Sequence, residues 1–125
     1  MTQTRTDQLR TLVVEDEFLI RLAIVDMLTG MGIRRISATG SLEEAIEWSR
    51  TREFDLAVLD VNLGGKTVYP AAEILRDRNV PLFFTTGYGI DGILEQWRST
   101  PIVHKPYEAN ALKSAIDAVI GRRQN

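Results

Sequence analysis

Five short apolar runs separated by longer amphipathic stretches constrain this chain more than any other feature. The runs are Thr11 to Glu15, Arg35 to Ala38, Leu56 to Asp60, Val80 to Thr85 and Pro101 to Val103. Strand-length runs alternating with helix-length stretches are the pattern of βα units around a mostly parallel sheet. From Glu17 to Met31, the residues Ile20, Ile24, Met27, Leu28 and Met31 recur at intervals of three and four, one apolar face for covering a sheet, and Gly30 and Gly32 close that helix. Ser41 and Glu44 have the spacing of a capping box ahead of Ala45, Ile46 and Trp48. A third helix is predicted from Pro70 to Asp77, a fourth from Asp91 to Arg98, and a last from Glu108 to Ile120 with Leu112, Ala115, Ile116, Val119 and Ile120 inward.

Five βα units fill the chain, so residues 1–8 are expected to be a mobile tail and residues 9–125 one domain, with no stretch left for an output domain. A hydrophobic content of 44% in 125 residues is enough for one core without staples. The absence of cysteine removes disulfides, thiolate metal sites and cysteine nucleophiles. With 17 acidic and 15 basic residues the net charge is only -2, which favours neither nucleic acid nor an anionic membrane as partner. Met1 to Arg10 lacks the apolar core of a signal peptide and no run is long enough to span a bilayer, so a cytoplasmic location is expected.

The polar residues worth weighing fall at the carboxyl ends of the predicted strands, where open α/β sheets place their ligands. Glu15 and Asp16 end the first, Asp60 the third, Thr85 and Thr86 the fourth, and Lys105 follows the fifth. Three carboxylates converging there would raise one another's pKa unless a cation neutralised them, and an all-oxygen site open to phosphate suits magnesium. A carboxylate can also attack phosphorus to give an aspartyl phosphate, provided a metal and nearby donors such as Lys105 and a threonine hydroxyl hold the phosphoryl charge. Alternation along a strand lets only one of Thr85 and Thr86 face such a site. Gly64-Gly65 lacks the flanking pattern of a P-loop and reads as a tight turn. His104 has no partner ligands and reads as a surface or packing residue.

The set Glu15-Asp16 after Val13-Val14, Asp60 within Leu59-Asp60-Val61-Asn62-Leu63, Thr86-Gly87 and Lys105-Pro106 resembles the receiver domain of bacterial two-component response regulators, from about Leu9 to Gly121. The resemblance implies a flavodoxin-like (βα)5 three-layer sandwich with parallel strand order 2-1-3-4-5 and a cis peptide before Pro106. It implies that Asp60 is the phosphoacceptor, that Asp16, Asp60 and the Asn62 backbone carbonyl bind Mg2+ with Glu15 acting through water, and that Thr86 and Lys105 contact the phosphoryl oxygens. Pro81 to Gly89, with Asn62 to Gly65 and Pro70, is similar to the FATGUY subgroup, which implies a histidine kinase of the HWE or a related type, or a phosphotransfer protein, as partner. The chain departs from the subgroup at Thr85, usually alanine. It departs from ordinary receivers at Ile102, where they carry a switch tyrosine or phenylalanine, so the response is expected to run through Thr86, Gly87 and Tyr88.

Phe18, Leu22 and Val25 form a second apolar stripe on the first helix, beside the acidic site, and the resemblance implies that a kinase helix docks there. The function expected is that of a phosphoacceptor that catalyses its own phosphorylation and slow dephosphorylation and signals to an unknown downstream protein, without turning over an external substrate. A relay intermediate or phosphate sink fits the same residues. A hydrolase working through an aspartyl phosphate is disfavoured because Glu15-Asp16-Glu17 is not a DxD pair, and a pseudo-receiver because no acceptor, acid or lysine is missing. A flavin carrier is disfavoured by two carboxylates where its first loop needs phosphate donors.

Overall fold

The computed structural model describes residues 6–87 and 93–124, with side chains through Gly121. Five strands form one parallel sheet: β1 (Arg10–Val14), β2 (Arg35–Thr39), β3 (Leu56–Asp60), β6 (Leu82–Thr86) and β7 (Ile102–His104). Their order is β2-β1-β3-β6-β7, the expected 2-1-3-4-5 once the small hairpin of β4 (Asn62–Leu63) and β5 (Lys66–Thr67) is set aside. The helices are α1 (Phe18–Gly30), α2 (Leu42–Thr51), α3 (Tyr69–Asp77) and α4 (Ala109–Gln124).

Strand alternation builds the three layers directly. Leu12, Val14, Ala57, Leu59 and Phe84 face one core with Ala45 of α2 and Ala71, Ala72 and Leu75 of α3. Val13, Leu56, Val58 and Phe83 face the other, with Ile24 and Leu28 of α1 and Leu112, Ala115, Ile116 and Val119 of α4. Because helices cover both faces, β3 and β6 are buried at every position, the continuous apolar run that a central parallel strand requires.

The helix ends follow local chemistry. Ser41 accepts the Glu44 N–H at 3.1 Å, the first half of the capping box, whereas the Ser41 N–H goes to Thr39 Oγ1 rather than to Glu44. After α1 the Ile33 N–H reaches the Leu28 carbonyl and the Gly32 N–H the Thr29 carbonyl, with Gly32 at a φ of 97°. That is a Schellman motif, so Gly32 closes the helix and Gly30 lies within it. Asn79, at a φ of 62°, plays the part of Gly32 after α3. Gly64 and Gly65 both have positive φ and form the two-residue loop of the β4–β5 hairpin, a structured version of the expected tight turn. Thr6–Gln8 take a 3-10 turn at the start of the described chain, and the last helix extends to Gln124, about a turn beyond the predicted end.

The predicted helix from Asp91 to Arg98 is the main correction. Residues 88–92 lie outside the described chain, and beyond them Leu94 is extended (ψ 142°) and only Glu95–Trp97 form a 3-10 turn. Two side chains take the backbone groups that a helix would use. The Leu94 N–H donates to the Tyr69 hydroxyl at 3.1 Å, and the Ile93 carbonyl accepts from Arg98 Nε at 3.1 Å instead of from the Trp97 N–H. Ile93 and Trp97, four apart and both buried, imitate a helical face without a helix between them. Trp97 stacks on Tyr69 at 6.2 Å, meets Phe84 edge-on at 5.3 Å and lies under the Arg76 guanidinium at 4.9 Å.

Since Trp97 is 3% exposed and anchors this segment to both α3 and β6, Trp97→Ala should cost about 3–5 kcal/mol in urea unfolding. A loss below about 1 kcal/mol would mean that the segment is held by something else.

Candidate functional site

The carboxyl ends of β1, β3, β6 and β7 meet on one edge of the sheet, and the pairing sets their heights: Val14 lies beside Leu59, and Asp60 beside Thr85. Glu15, one residue beyond β1, is fully buried, and Asp60 is 3% exposed. Lys105 Nζ sits 3.1 Å from Glu15 Oε1 and 3.3 Å from Asp60 Oδ2. Glu15 Oε1 also accepts a hydrogen bond from the Tyr107 hydroxyl at 3.2 Å, and Oε2 accepts the Glu17 N–H at 3.1 Å. Asp16 is exposed at the mouth. One carboxylate oxygen from each of Glu15, Asp16 and Asp60 lies within 4.8 Å of the other two.

The first loop is clamped from both sides. Arg21 Nη1 donates to the Glu15 carbonyl at 2.7 Å. A Cβ on Gly40 would stand 2.7 Å from that guanidinium nitrogen and 3.2 Å from the Asp16 Cα, so the end of β2 reaches the acidic loop only without a side chain.

One ammonium cannot neutralise three carboxylates. Burial first, and then the Glu15 charge, push the Asp60 carboxyl up to about 7 even though Lys105 pulls it down. Burial alone would lower the Lys105 pKa, but the Asp60 and Glu15 charges outweigh it and hold the ammonium above its ordinary value.

Residues 11–117 match the family model for the response regulator receiver domain. The chain belongs to that family. The receiver is 28% identical to the transcriptional regulatory protein PdtaR of Mycobacterium tuberculosis over 90% of this chain and 57% of that one, so it spans about half the length of this relative. Its fold superposes with a TM-score of 0.82 and 30% identity on the solution structure of SdrG from Sphingomonas melonis Fr1, covering 94% of this chain and 99% of that one. The receiver domain of PhyR from Erythrobacter litoralis gives a TM-score of 0.77 and 25% identity, with 90% of each chain covered.

Of the receiver residues marked in the sequence, the structure brings Glu15, Asp16, Asp60 and Lys105 into one cluster. Asn62 and Gly87 line the same opening, together with Gly64. Thr86 closes β6, is buried, and its carbonyl accepts the Lys105 N–H at 2.9 Å. Tyr88 lies outside the described residues. The Lys105–Pro106 peptide is cis, as expected. Ile102 begins β7 and packs partly buried on the α2/α3 side, and His104 is exposed. Tyr107, Arg21 and Gly40 escaped the sequence reading. Tyr107 was within reach as the aromatic residue two positions after Lys105, whereas Gly40 becomes informative only once β2 is known to lie beside β1.

These residues fit a divalent cation. The donors are all oxygens, their mutual distances allow shared coordination, and the burial of Asp60 beside the Glu15 charge, which together raise its pKa, leaves negative charge that a cation would relieve. The sign of the pH dependence follows from the same shift. An unfolded aspartate releases its proton near 4, whereas folded Asp60 keeps its proton up to about 7, so this group's contribution to stability is full below about pH 4 and is lost as pH rises through 7. In metal-free buffer Asp60→Asn should therefore melt above the wild type at pH 8, and the difference should shrink as the pH falls, toward zero only near about pH 4. A difference that stays constant across that range would contradict the shift.

Proposed function

We propose that Asp60 accepts a phosphoryl group from a histidine kinase or phosphotransfer protein in a magnesium-dependent reaction, and that the phosphorylated receiver signals through protein contacts. The observation that carries this reading is the buried Asp60 carboxylate facing the Lys105 ammonium inside a cluster of three acids. A carboxylate oxygen of Asp60 forms the new bond to phosphorus as the phosphorus–nitrogen bond of a phosphohistidine breaks. The imidazole leaves with that electron pair and takes up a proton.

Asp16, Asp60 and the Asn62 carbonyl would hold Mg2+, with Glu15 acting through water. The bound ion would supply positive charge against the phosphoryl oxygens. Lys105 adds a charge-assisted contact from the opposite side and Thr86 a hydroxyl. The receiver acts on itself, both in taking up the group and in its slow hydrolysis, and turns over no external substrate.

The donor's docking surface is the exposed face of α1. Phe18, Leu19 and Leu22 are 63%, 75% and 46% exposed, and a groove between Leu19, Ile20, Ala23 and Met27 on one side and Lys105, Pro106 and Tyr107 on the other opens beside the site. Val25, expected on the same stripe, is half-buried. An apolar helix of a kinase of the HWE or a related type suits that groove, and docking there would bring its phosphohistidine toward Asp60. The sequence resemblance to the FATGUY subgroup supports this donor class, and a relay or sink role would use the same chemistry.

Incubation with a small phosphodonor and magnesium should add one phosphoryl group to the intact mass of the wild type and none to Asp60→Asn. A full adduct on Asp60→Asn would overturn the assignment. Lys105→Ala should fold and still take up phosphate, but lose the amide chemical-shift response that phosphorylation produces in the wild type.

A further inference from the structure

Glu15 Oε1 has two donors, and only one of them can leave. The Lys105 ammonium and the Tyr107 hydroxyl both reach that oxygen, at 3.1 and 3.2 Å, while the second carboxylate oxygen is held by the Glu17 N–H. Glu15 has no exposure to water through which to replace a lost partner. An uncompensated buried carboxylate is costly, so whatever draws Lys105 away must leave Oε1 another donor.

We infer that Tyr107 is a positioning residue that holds the buried Glu15 carboxylate and thereby frees Lys105 to move onto a phosphoryl group at Asp60. This role rests on the proposed function of Asp60 and adds a residue to it. Tyr107 is suited to the part. A phenol is uncharged near neutral pH, so it is a neutral donor. Being uncharged, it satisfies Glu15 without competing with Lys105 for the phosphoryl oxygens. Its ring packs against the α1/α4 core, which fixes where the hydroxyl points. Thr85, where the related subgroup usually has alanine, has a buried Oγ1 with no hydrogen-bond partner of good geometry among the described residues and stands beside Asp60 in the sheet.

Tyr107→Phe removes the donor and keeps the ring, so the test is a double-mutant cycle with Glu15→Gln. Beryllofluoride with magnesium serves as the phosphoryl mimic, and its affinity is measured for the wild type, both single variants and the double variant. The carboxyl carbon resonance of Glu15 is followed by NMR in metal-free wild type and Tyr107→Phe. The expected result is a shift of the Glu15 carbon in Tyr107→Phe and a roughly tenfold loss of beryllofluoride affinity, the size of one hydrogen bond to a charged acceptor. That loss should disappear in the Glu15→Gln background, where the Glu15 carboxylate no longer holds Lys105 back. An unmoved Glu15 carbon, or the same loss in both backgrounds, would overturn the role and leave the Asp60 reading intact. A wild type that fails to bind beryllofluoride while its Glu15 carbon still responds would overturn the Asp60 reading, and this role with it.

Discussion

The crowding of Glu15, Asp16 and Asp60 around a single ammonium is the interaction on which the rest of this receiver depends. Like charges a few ångströms apart in a partly dry site destabilise the fold, and Lys105 offsets only part of that repulsion. The protein therefore rests in a state that any added positive charge, or a proton, makes more comfortable. On the proposed function, a divalent ion would relieve it without spending a proton, and a phosphoryl group would then give Lys105 a stronger partner than either carboxylate. Binding and signalling would draw on the same imbalance.

The sheet enforces the crowding. Two cores grip β1 and β3 so that neither can slide without exposing Leu12, Val13, Val58 and Leu59, and this register sets Asp60 beside Thr85 and one position above the end of β1. Arg21 and Gly40 then fix the loop that carries Glu15 and Asp16. With the loop fixed in this way, burial first and the Glu15 charge second raise the Asp60 pKa. The exposed stripe on α1 lies beside this edge, where the proposed donor's helix would enter.

Much of this was legible in the sequence because it follows from period and position. Alternation of strand-length and helix-length apolar patterns specified the layered architecture, and acids at the ends of the first and third strands specified the site. The helix predicted at Asp91 to Arg98 failed because Ile93 and Trp97 are spaced like a helical face, while Tyr69 and Arg98, partners that no local pattern reveals, claim the backbone groups a helix needs. The Asn62–Thr67 hairpin was readable only as a turn, since two-residue strands carry no periodicity. Tyr107 was passed over because an aromatic residue in a loop ordinarily packs. Only the structure shows its hydroxyl on Glu15.

The acidic site is held under charge repulsion that a cation would relieve. The most direct measurement is thermal melting at pH 8 with increasing magnesium, on the wild type, Asp16→Ala and Asp60→Asn. The wild type should gain several degrees, saturably, by the linkage of binding to stability, while Asp16→Ala should lose most of the gain and Asp60→Asn should start higher and gain less. A melting temperature indifferent to magnesium in the wild type, or an equal gain in all three proteins, would contradict charge repulsion relieved by a cation at this site.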